Sequence, residues 1–556
     1  MVKSRFNSID ELPDSHKETL EKHFTNLDKD TFVMTGLPIE LSGGVLARYS
    51  RANTGLRLTL ANEFLDENGQ PSELKGSELI ERVVNAFGDD SVGELVSVQV
   101  GMENISILLT KTIEDLRIGM SPIEKSTRYV PYDEKAEDGN WRYLRPKEIM
   151  DSEFADEYIE ACDGMFEVYS NLVPPLVDYF KGIFPEDNFS INFERDGKTV
   201  ELKKDDLKTN EEKRQFRVGY KFTVRCAALD VARGLLPAST LTNMGFNING
   251  RGAVNLLTRL KSSNLDEDQR KAIELENELE KVIPTFIRKN RRIEEWTEID
   301  KNMQALADKL FAGYVPEFPK PVTLVRNADY LTEVVSYSLY PYTNLSLEQI
   351  MDVVDELPAE GKEGVIKTSV GKRDSRRDRT DRGLEAGYPI TFDTVMAYGE
   401  WRDVHRHRML SQQRQPLTCD LGFVMAPEIG IVGMEEEVKQ TVEKMHSLNR
   451  KLRESGFGLA AQNTGLLGDR IRSVFAYNMR EAQHKLELRT QPMGHYGYRL
   501  TCMGEADQII ERHPWAEMCL QYVNRDDPGG KIARAKEQSW IVGKNLQSGV
   551  DSGIDL

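Results

Sequence analysis

The sequence contains few cysteines and no long apolar segment. Its five cysteines are spread over 556 residues without a C-x-x-C pair: Cys162, Cys226, Cys419, Cys502 and Cys519. This usage excludes a disulfide framework and a zinc ribbon, and it is typical of a reducing compartment. No run approaches the roughly 18 apolar residues that a spanning helix needs, and the N-terminal residues lack the apolar core of a signal peptide. We therefore expect a cytoplasmic protein with no metal site and no membrane partner.

The sequence also has fewer basic residues than acidic ones. The chain has 73 Lys+Arg against 91 Asp+Glu, a formal net charge of -18. An acidic surface repels duplex phosphates and argues against a nucleic-acid-coating role. It leaves room for a local basic pocket that binds one small phosphorylated ligand. With 39% hydrophobic and 29% charged residues, the composition argues against collagen, a coiled-coil rod and wholesale disorder.

Three pairs of segments indicate an internal duplication. The segment NGRGAVNLLTRL from Asn249 resembles NMREAQHKLELR from Asn478 at an offset of 229, and in both an arginine follows two positions later (Arg251, Arg480). LRIGMS, ending at Ser121, pairs with RHRMLS, ending at Ser411, at an offset of 290. Tyr49-Ser50 and Tyr337-Ser338 form a weaker third pair. The difference of about 61 residues between the two offsets predicts an insertion in the first copy.

The duplication predicts two tandem domains. The first spans 1–312, with an insertion near 131–215 and a C-terminal helical linker, and the second spans 313–556. The alternative is two unrelated domains with chance matches. We expect strands at 95–100 and 390–396, and helices at 435–455, 478–489 and 504–512, from their apolar periodicity. These elements do not alternate as βαβ units, so the expected fold class is α+β.

Two polar clusters carry side chains suited to an anionic ligand. The segment RDVHRHR, from Arg402 to Arg408, directly follows an apolar run, and its guanidinium forks suit phosphate. The alternative is that this segment forms a solvent-exposed turn without a binding role. The first copy reads LRIGMSPIEKSTRYV, in which Glu124, Ser126, Arg128 and Tyr129 could grip a phosphorylated nucleoside. The alternative there is a helix start, with Ser121 as N-cap and Pro122 as first helical residue.

These motifs divide between the two copies. The second copy carries Arg406-His407-Arg408 and, after Asn478, the pair Leu488-Arg489. The first copy carries Ser126, Arg128 and Tyr129, and the element Arg233-Gly-Leu-Leu-Pro237. Each copy lacks the motif of the other. In the second copy, Ser, Arg and Tyr are replaced by Pro416, Thr418 and Cys419. In the first copy, Arg-His-Arg is replaced by Leu116, Arg117 and Ile118. In combination, the chain resembles the flavin-dependent (alternative, ThyX-type) thymidylate synthases.

The resemblance implies two domains that each pack a mixed sheet with long helices, and composite sites to which both copies contribute. It implies FAD as cofactor, with NADPH and methylenetetrahydrofolate as co-substrates, and methylation of dUMP to dTMP. Arg489 and Ser126 would be catalytic. The residues implied to bind substrate are Glu124, Ser126, Arg128, Arg233, Arg406 and Arg489. Those implied to bind cofactor are Arg406, His407, Arg408, Asn249, Arg251, Asn478, Arg480 and His484. A two-copy chain would form a homodimer equivalent to the family's tetramer.

One departure keeps the function open. Asp403 stands where the family has a glutamine, so this carboxylate either alters the contact with base or phosphate, or rotates outward. The alternatives are therefore a related flavin-dependent one-carbon transfer on another pyrimidine nucleotide, or a non-catalytic flavin- or nucleotide-binding homologue. The charged segment 371–383 is expected to be a disordered, self-neutralising loop, with phosphate contact as the alternative. Glu385, and Ser91 with Glu94, stand near the family's flavin-contacting positions.

Overall fold

The chain forms two compact units. The computed structural model describes residues 6–72, 74–79, 81, 90–195, 197–315, 320–378, 380–526 and 531–549. The first unit comprises Met1–Lys125, Pro146–Glu148 and Leu241–Tyr314, and the second comprises Ser126–Arg145, Ile149–Thr240 and Val315–Leu556. Both units contain helices and antiparallel sheet. The fold class is therefore α+β, as the sequence predicts.

Helices dominate the described residues. The strands are β1 Ser97–Ser106, β2 Met120–Glu124, β3 Ser190–Arg195, β4 Lys198–Lys203, β5 Leu241–Asn249, β6 Val322–Asn327, β7 Ile390–Ala397, β8 Ser411–Arg414 and β9 Arg470–Tyr477. The α-helices are Asp14–His23, Ile39–Tyr49, Leu56–Thr59, Ile107–Glu114, Lys147–Met150, Ala155–Ile183, Asn210–Ala232, Gly250–Lys261, Asp266–Leu279, Pro284–Ile287, Glu294–Leu310, Leu331–Leu339, Leu347–Asp355, Ala359–Val370, Tyr398–Val404, Pro427–Ile431, Glu435–Glu454, Gly458–Ala461, Met479–Arg489, Tyr496–Arg512 and Arg534–Ser548. None of the helices described here has the length and apolar character required to cross a membrane.

The sheet of the first unit has the order β1-β5-β2, and both pairings are antiparallel. Along β5, Met244, Phe246 and Ile248 alternate into the core. Ser121 and Pro122 lie in the edge strand β2, so the expectation of a helix start at these residues is wrong. An edge strand tolerates proline because one side of its backbone needs no ladder partner, and β5 supplies the pairing that the local sequence does not reveal.

The second unit contains a four-stranded sheet and a separate hairpin. The sheet order is β6-β7-β9-β8, again antiparallel, and β3 pairs with β4. The predicted strand 390–396 and helix 435–455 are found within one residue of their expected ends. The helix expected over 504–512 begins earlier, at Tyr496, because the His495 side chain caps it by accepting from the Gly497 N–H.

The two sheets share one topology. The order β1-β5-β2 matches β7-β9-β8, and a short helix follows the first strand of each set. Residues 125–240 separate β2 from β5, whereas 415–469 separate β8 from β9. The longer connection includes the helix Ala155–Ile183 and the β3–β4 hairpin, where the sequence predicts its insertion. The common topology is what a tandem repeat requires.

The core of the second unit contains a local two-fold relation between the copies. Residues 234–239 of the first copy pair through their backbones with residues 463–468 of the second. Under the offset of 229, each hydrogen bond has a mate with its donor and acceptor exchanged. The pairs are Ala238 N–H to Gly465 O (2.7 Å) with Leu467 N–H to Leu236 O (2.9 Å), and Ser239 N–H to Asn463 O (3.2 Å) with Gly468 N–H to Gly234 O (2.8 Å). Such reciprocity is the property of a two-fold subunit interface, here within one chain.

The compact units and the sequence repeats divide the chain differently. Most of residues 126–240 belongs to the first copy by sequence and to the second unit by contacts. This segment includes the Arg128 turn and the Arg233-x-x-Leu-Pro element. The second unit therefore holds motif residues from both copies, while the repeat boundary near 312 stays a prediction.

Candidate functional site

A tight turn presents Arg128 immediately after β2. The Ser126 hydroxyl accepts a hydrogen bond from the Arg128 N–H at 3.2 Å, and the Ser126 carbonyl accepts from the N–H groups of Tyr129 and Val130. Serine favours such turns because its hydroxyl replaces a backbone acceptor. Ser126, predicted as catalytic, thus shapes the loop that carries the arginine.

Arg128 makes a buried two-pronged ion pair. Its Nε and Nη2 donate to Asp230 Oδ1 and Oδ2 at 2.7 and 2.8 Å, and Nη1 donates to the Met493 carbonyl at 3.3 Å. Burial alone would lower the pKa of the guanidinium, but Asp230 raises it well above its usual value. Burial likewise opposes ionisation of Asp230, yet Arg128 holds the pKa of that carboxyl well below its usual range. Both groups therefore stay charged.

Arg233 provides a second buried guanidinium, one helical turn after Asp230. It ends the helix Asn210–Ala232 and begins a short 3₁₀ turn. The residue is only 4% exposed, burial lowers its pKa, and its Nη2 has no hydrogen-bond partner among the described residues. A buried donor without an acceptor costs about 1–3 kcal/mol, more when it is charged. The position therefore favours an anionic ligand.

A small cavity adjoins Arg233. Its walls include Gly399, Glu400, His495 and Tyr496. Burial raises the pKa of Glu400 to about 7. Burial, assisted by Arg233, lowers the pKa of His495 well below its usual value. His495 is thus held neutral beside the guanidinium, and Glu400 changes its charge near neutral pH.

The arginines predicted from the two copies meet around Asp403. This residue lies near the end of the helix Tyr398–Val404 and is partly buried. Burial raises the pKa of its carboxyl, but four guanidinium groups outweigh that effect and lower it, those of Arg489, Arg406, Arg233 and Arg128. Asp403 thus lies close enough to these arginines for their charges to lower the pKa of its carboxyl. We call Arg128, Arg233, Arg406 and Arg489 the arginine cluster. The four guanidinium groups outnumber the carboxylates of Asp230 and Asp403 that lie among them.

His407 orients Arg489 within the cluster. Arg489 Nε donates to His407 Nε2 at 3.0 Å, so Nε2 is unprotonated. The proton therefore lies on Nδ1, which donates to Glu481 Oε1 at 2.8 Å. Burial and the nearby Arg489 lower the pKa of His407 well below its usual value, and burial raises that of Glu481 to about 7. Both ring nitrogens are thus used inside the protein, and a cofactor contact of His407 stays a prediction.

The helix Met479–Arg489, which carries Arg489, is fixed by buried ion pairs. Lys485 Nζ pairs with Glu505, which also accepts from the Tyr477 hydroxyl at 2.7 Å. Arg373 binds Glu487 through two hydrogen bonds of 2.7 and 2.6 Å, and both side chains are almost fully buried. Such anchors hold the helix in one position relative to its neighbours.

Arg373 belongs to the segment 371–383, for which disorder was the expectation. Two of its charges do pair locally, because Lys372 Nζ lies 3.2 Å from Asp374 Oδ1. The segment is nevertheless ordered around the buried Arg373–Glu487 pair, so the expectation of disorder is wrong for the residues that the structure describes. Arg379 lies outside them.

The two Asn-x-Arg elements are equivalent in detail. Asn249 and Asn478 each cap a helix, accepting from the N–H groups of Gly252 (2.8 Å) and Glu481 (3.0 Å). Arg251 pairs with Glu94 at 2.6 Å, and Arg480 pairs with Glu385 at 2.9 Å. Glu94 and Glu385 are the glutamates that stand near the family's flavin-contacting positions, so each arginine pairs with the one in its own copy.

The remaining predicted residues divide between the units. Glu124 lies in the first unit, where its buried carboxylate pairs with Lys111 at 2.9 Å. Asn249 and Arg251 also belong to that unit. Arg408 and His484 are exposed in the second unit, and the His484 ring meets that of His407 edge-on at 5.3 Å.

Sequence reasoning missed several residues around the cluster. Asp230, Tyr498 and Arg534 all interact with Arg128 or its counter-ion. Arg489 lies over the Tyr498 ring at 5.7 Å. The one available signal was the spacing of Asp230, three residues before Arg233 on a helix. Nothing in the local sequence distinguishes Tyr498 or Arg534.

The cysteines offer no activated nucleophile. Burial raises the pKa of all five thiols, to about 11 for Cys226 and about 12 for Cys162, Cys502 and Cys519, with Cys419 also raised. A thiol with a raised pKa is a poor nucleophile at neutral pH. Among the residues that the structure describes, no group of three His, Cys, Asp or Glu side chains is arranged to hold a metal ion.

Fold and site together define an α+β protein with a duplicated strand–cap–helix element and a cluster of four arginines. The sequence model of the family described as thymidylate synthase complementing protein matches residues 46–285. UPF0159 proteins of Chlamydia muridarum and Chlamydia pneumoniae are each 33% identical, over 94% and 93% of this chain and 97% and 96% of their own lengths. UPF0159 protein Ta1429 of Thermoplasma acidophilum is 30% identical over 91% of this chain and 99% of its own. The chain belongs to the thymidylate synthase complementing protein family.

Proposed function

We propose that the protein is a flavin-dependent thymidylate synthase whose working site combines residues of both copies. In the overall reaction dUMP, methylenetetrahydrofolate, NADPH and a proton give dTMP, tetrahydrofolate and NADP⁺. The observation that carries the proposal is the arginine cluster. Arg128 and Arg233 come from the first copy, Arg406 and Arg489 come from the second, and all four surround Asp403 in one unit.

The first-copy arginines are suited to the substrate phosphate. A nucleoside monophosphate carries a dianion, and guanidinium groups bind phosphate oxygens through paired, charge-assisted hydrogen bonds. Arg128 is held in place by Asp230, and Arg233 has a buried donor without a partner. The Ser126 hydroxyl, in the same turn as Arg128, would lie beside the phosphate or the base.

Arg489 is suited to the base. Methylation at carbon 5 requires a nucleophilic ring, and a guanidinium beside the ring stabilises the negative charge that forms when the imide proton is lost. The Glu481–His407–Arg489 chain of hydrogen bonds fixes the orientation of that guanidinium before substrate binds. Because every cysteine thiol has a raised pKa, a mechanism without a cysteine adduct is the chemistry that these residues support.

The second-copy residues around the helix Met479–Arg489 fit an anionic dinucleotide cofactor. Arg408 and His484 are exposed, and Arg480 lies on the same helix as His484. Arg406, Arg408 and Arg480, with Asn478 and His484, would hold the FAD phosphates, and Asn249 and Arg251 offer the equivalent set in the first unit. Bound FAD would supply the hydride that completes the methyl group.

Asp403 favours one second candidate, a related one-carbon transfer on another pyrimidine nucleotide. A carboxylate among the phosphate-binding arginines weakens the attraction for a dianion, and a carboxylate accepts readily from an exocyclic amine such as that of cytosine. A comparison of dUMP with dCMP as substrate separates the two candidates.

We also propose that the protein is cytoplasmic and forms a homodimer equivalent to a single-copy tetramer.

The decisive experiment is a spectroscopic and product assay on the purified protein. We expect a yellow protein whose flavin absorbance is bleached by NADPH under anaerobic conditions, and which forms dTMP from dUMP and methylenetetrahydrofolate. Arg489→Gln should lower turnover by about 100-fold or more because an electrostatic group at the reacting ring is lost. Arg512→Gln, on an exposed arginine of the same unit, is the control. A colourless protein that binds dUMP tightly without turnover would instead indicate a nucleotide-binding homologue.

A further inference from the structure

The C-terminal helix Arg534–Ser548 is fixed on the β3–β4 hairpin. Asn192 Nδ2 donates to Ser539 Oγ at 3.0 Å. Gly543 touches the hairpin backbone, because a Cβ at this residue would lie 1.5 Å from the Asn192 carbonyl oxygen. Val542 packs over Gly219 of the helix Asn210–Ala232. A Cβ added at Gly219 would lie 2.6 Å from the Cγ2 methyl group of Val542. These contacts hold the first residue of the helix, Arg534, in a defined position.

Arg534 is a buried arginine with unused donors. The residue is 6% exposed. Its Nη2 donates to the Tyr129 hydroxyl at 3.3 Å and to the Met493 carbonyl at 3.2 Å, and the guanidinium lies 4.7 Å from the centre of the Tyr129 ring. Neither Nε nor Nη1 has a hydrogen-bond partner among the described residues. Two buried N–H groups of a cation are thus available to a ligand.

Arg534 lies beside the first-copy arginines. It shares the Met493 carbonyl with Arg128 Nη1, and with Arg128 it faces Asp230 and the half-buried Glu537. Both oxygens of Asp230 accept a hydrogen bond from Arg128. Arg233 Nη2 and Arg534 Nε and Nη1 are buried donors for which the described residues provide no acceptor.

We propose that Arg534 is a further ligand for the phosphate group of the nucleotide, donating Nε and Nη1 beside Arg128 and Arg233. The inference rests on the proposed function for the identity of the nucleotide. The geometry also assigns a role to the C-terminal helix, which lies outside every motif that the sequence singles out. A phosphate dianion has enough acceptor positions to satisfy all of these donors.

The test measures Kd by calorimetry for dUMP, deoxyuridine and inorganic phosphate, on the wild-type chain, Arg534→Gln and Lys544→Gln. Lys544 is exposed on the same helix, so its variant removes the same charge away from the site. We expect Arg534→Gln to weaken dUMP and inorganic phosphate binding by about tenfold or more. Binding of deoxyuridine, which lacks the phosphate, should change less than twofold in the same variant. Lys544→Gln should bind all three probes as the wild type does.

An unchanged Kd for dUMP in a folded Arg534→Gln protein would overturn the inference. If that variant unfolds, Arg534→Lys replaces it: this side chain keeps the charge but loses the paired donors, and we expect several-fold weaker dUMP binding. Wild-type affinity in Arg534→Lys would then overturn the inference. If the wild type binds inorganic phosphate through Arg534 but does not bind dUMP, the phosphate ligand stands and the proposed function falls.

Discussion

Asp403 is the residue that we expect to have the largest effect on the affinity of the arginine cluster for an anion. Its carboxyl stays ionised because four arginines outweigh the effect of burial on its pKa. In the ligand-free protein this charge satisfies guanidinium groups that would otherwise repel one another. Under the proposed function, a bound phosphate would share those groups with the carboxylate, so we expect Asp403 to stabilise the fold and to weaken phosphate binding.

We predict that Asp403→Gln binds dUMP more tightly and unfolds at a lower temperature. Removal of one like charge beside the phosphate should strengthen binding by about tenfold, or about 1.4 kcal/mol. Thermal stability should fall because the four cations lose a counter-ion. Calorimetric titration and thermal denaturation measure the two effects. Asp420→Asn, at an exposed aspartate paired with Arg453, is the control, and weaker dUMP binding by Asp403→Gln would contradict this account.

At the level of secondary structure elements, the helix Met479–Arg489 owes its position to charges buried along its length. Glu487 lies two residues before Arg489 and pairs with Arg373 from a loop distant in sequence. The pair sits out of water, so its attraction mainly offsets the cost of desolvation. Its contribution is therefore to hold the helix and the loop in one arrangement.

We predict that Arg373→Met lowers the free energy of unfolding by about 3–5 kcal/mol, because Glu487 is left charged and unpaired in the core. The double variant Arg373→Met/Glu487→Leu should recover most of that loss, since both charges are then removed. Lys372→Met, at the exposed neighbouring residue, should have little effect. Denaturant unfolding measures all three. A double variant as unstable as the single one would show that the loop needs the ion pair itself.

The helix and its loop also show what the sequence can and cannot predict. The resemblance to a known family pointed to Arg128, Arg233, Arg406 and Arg489 because each stands in a motif of that family, and the structure brings all four near Asp403. It placed the strand 390–396 and the helix 435–455 well because their apolar patterns are regular. It failed for Arg373, whose local surroundings are highly charged, because a buried partner on another element decides its environment.

The same limit applies to the remaining contacts of the site. The sequence did not reveal Asp230 as the partner of Arg128, because they are 102 residues apart. It did not reveal that His407 uses both ring nitrogens within the protein. Such pairings are set by how elements pack, and neither periodicity nor motif spacing records that packing.

For the whole molecule, stability against pH depends on two opposing sets of buried groups. The pKa values of Asp268, Glu400 and Glu481 are raised to about 7 by burial. Their ionisation therefore lowers stability as pH rises from about 4.5 to 7. His407 and His495 have pKa values well below the usual one because they are buried. They charge only on unfolding, so stability falls as pH drops below about 6.5.

We predict that Glu400→Gln gains stability relative to the wild type as pH rises. The glutamine has no proton to lose, whereas each unit of pKa shift in Glu400 is about 1.4 kcal/mol. The difference in free energy of unfolding should therefore change by about 2–3 kcal/mol in favour of the variant between pH 4.5 and 8. Urea unfolding at several pH values measures it, with Glu511→Gln at an exposed position as control. A difference that stays constant over this range would contradict a raised pKa at Glu400.

The duplication has a consequence for how sites are shared between chains. In the single-copy enzymes that this chain resembles, two subunits contribute to one site. Here the local two-fold relation lies within one unit of one chain, and Arg128 and Arg489 both belong to that unit. A complete arginine cluster therefore needs only one polypeptide, whatever oligomer the chains form.

We therefore predict that co-expressed Arg128→Gln and Arg489→Gln chains do not complement each other. Each chain carries one defect in its own cluster, so a mixed oligomer contains no intact cluster, and dTMP formation should stay at the level of the separate variants. Differently tagged chains purified over two affinity steps provide the mixed oligomer. A co-expressed pair of wild-type and Arg489→Gln chains, expected at about half of wild-type activity per chain, is the control. If the site were shared between chains, one of two sites in the mixed dimer would regain both arginines, and recovery to about half of wild-type activity would show it.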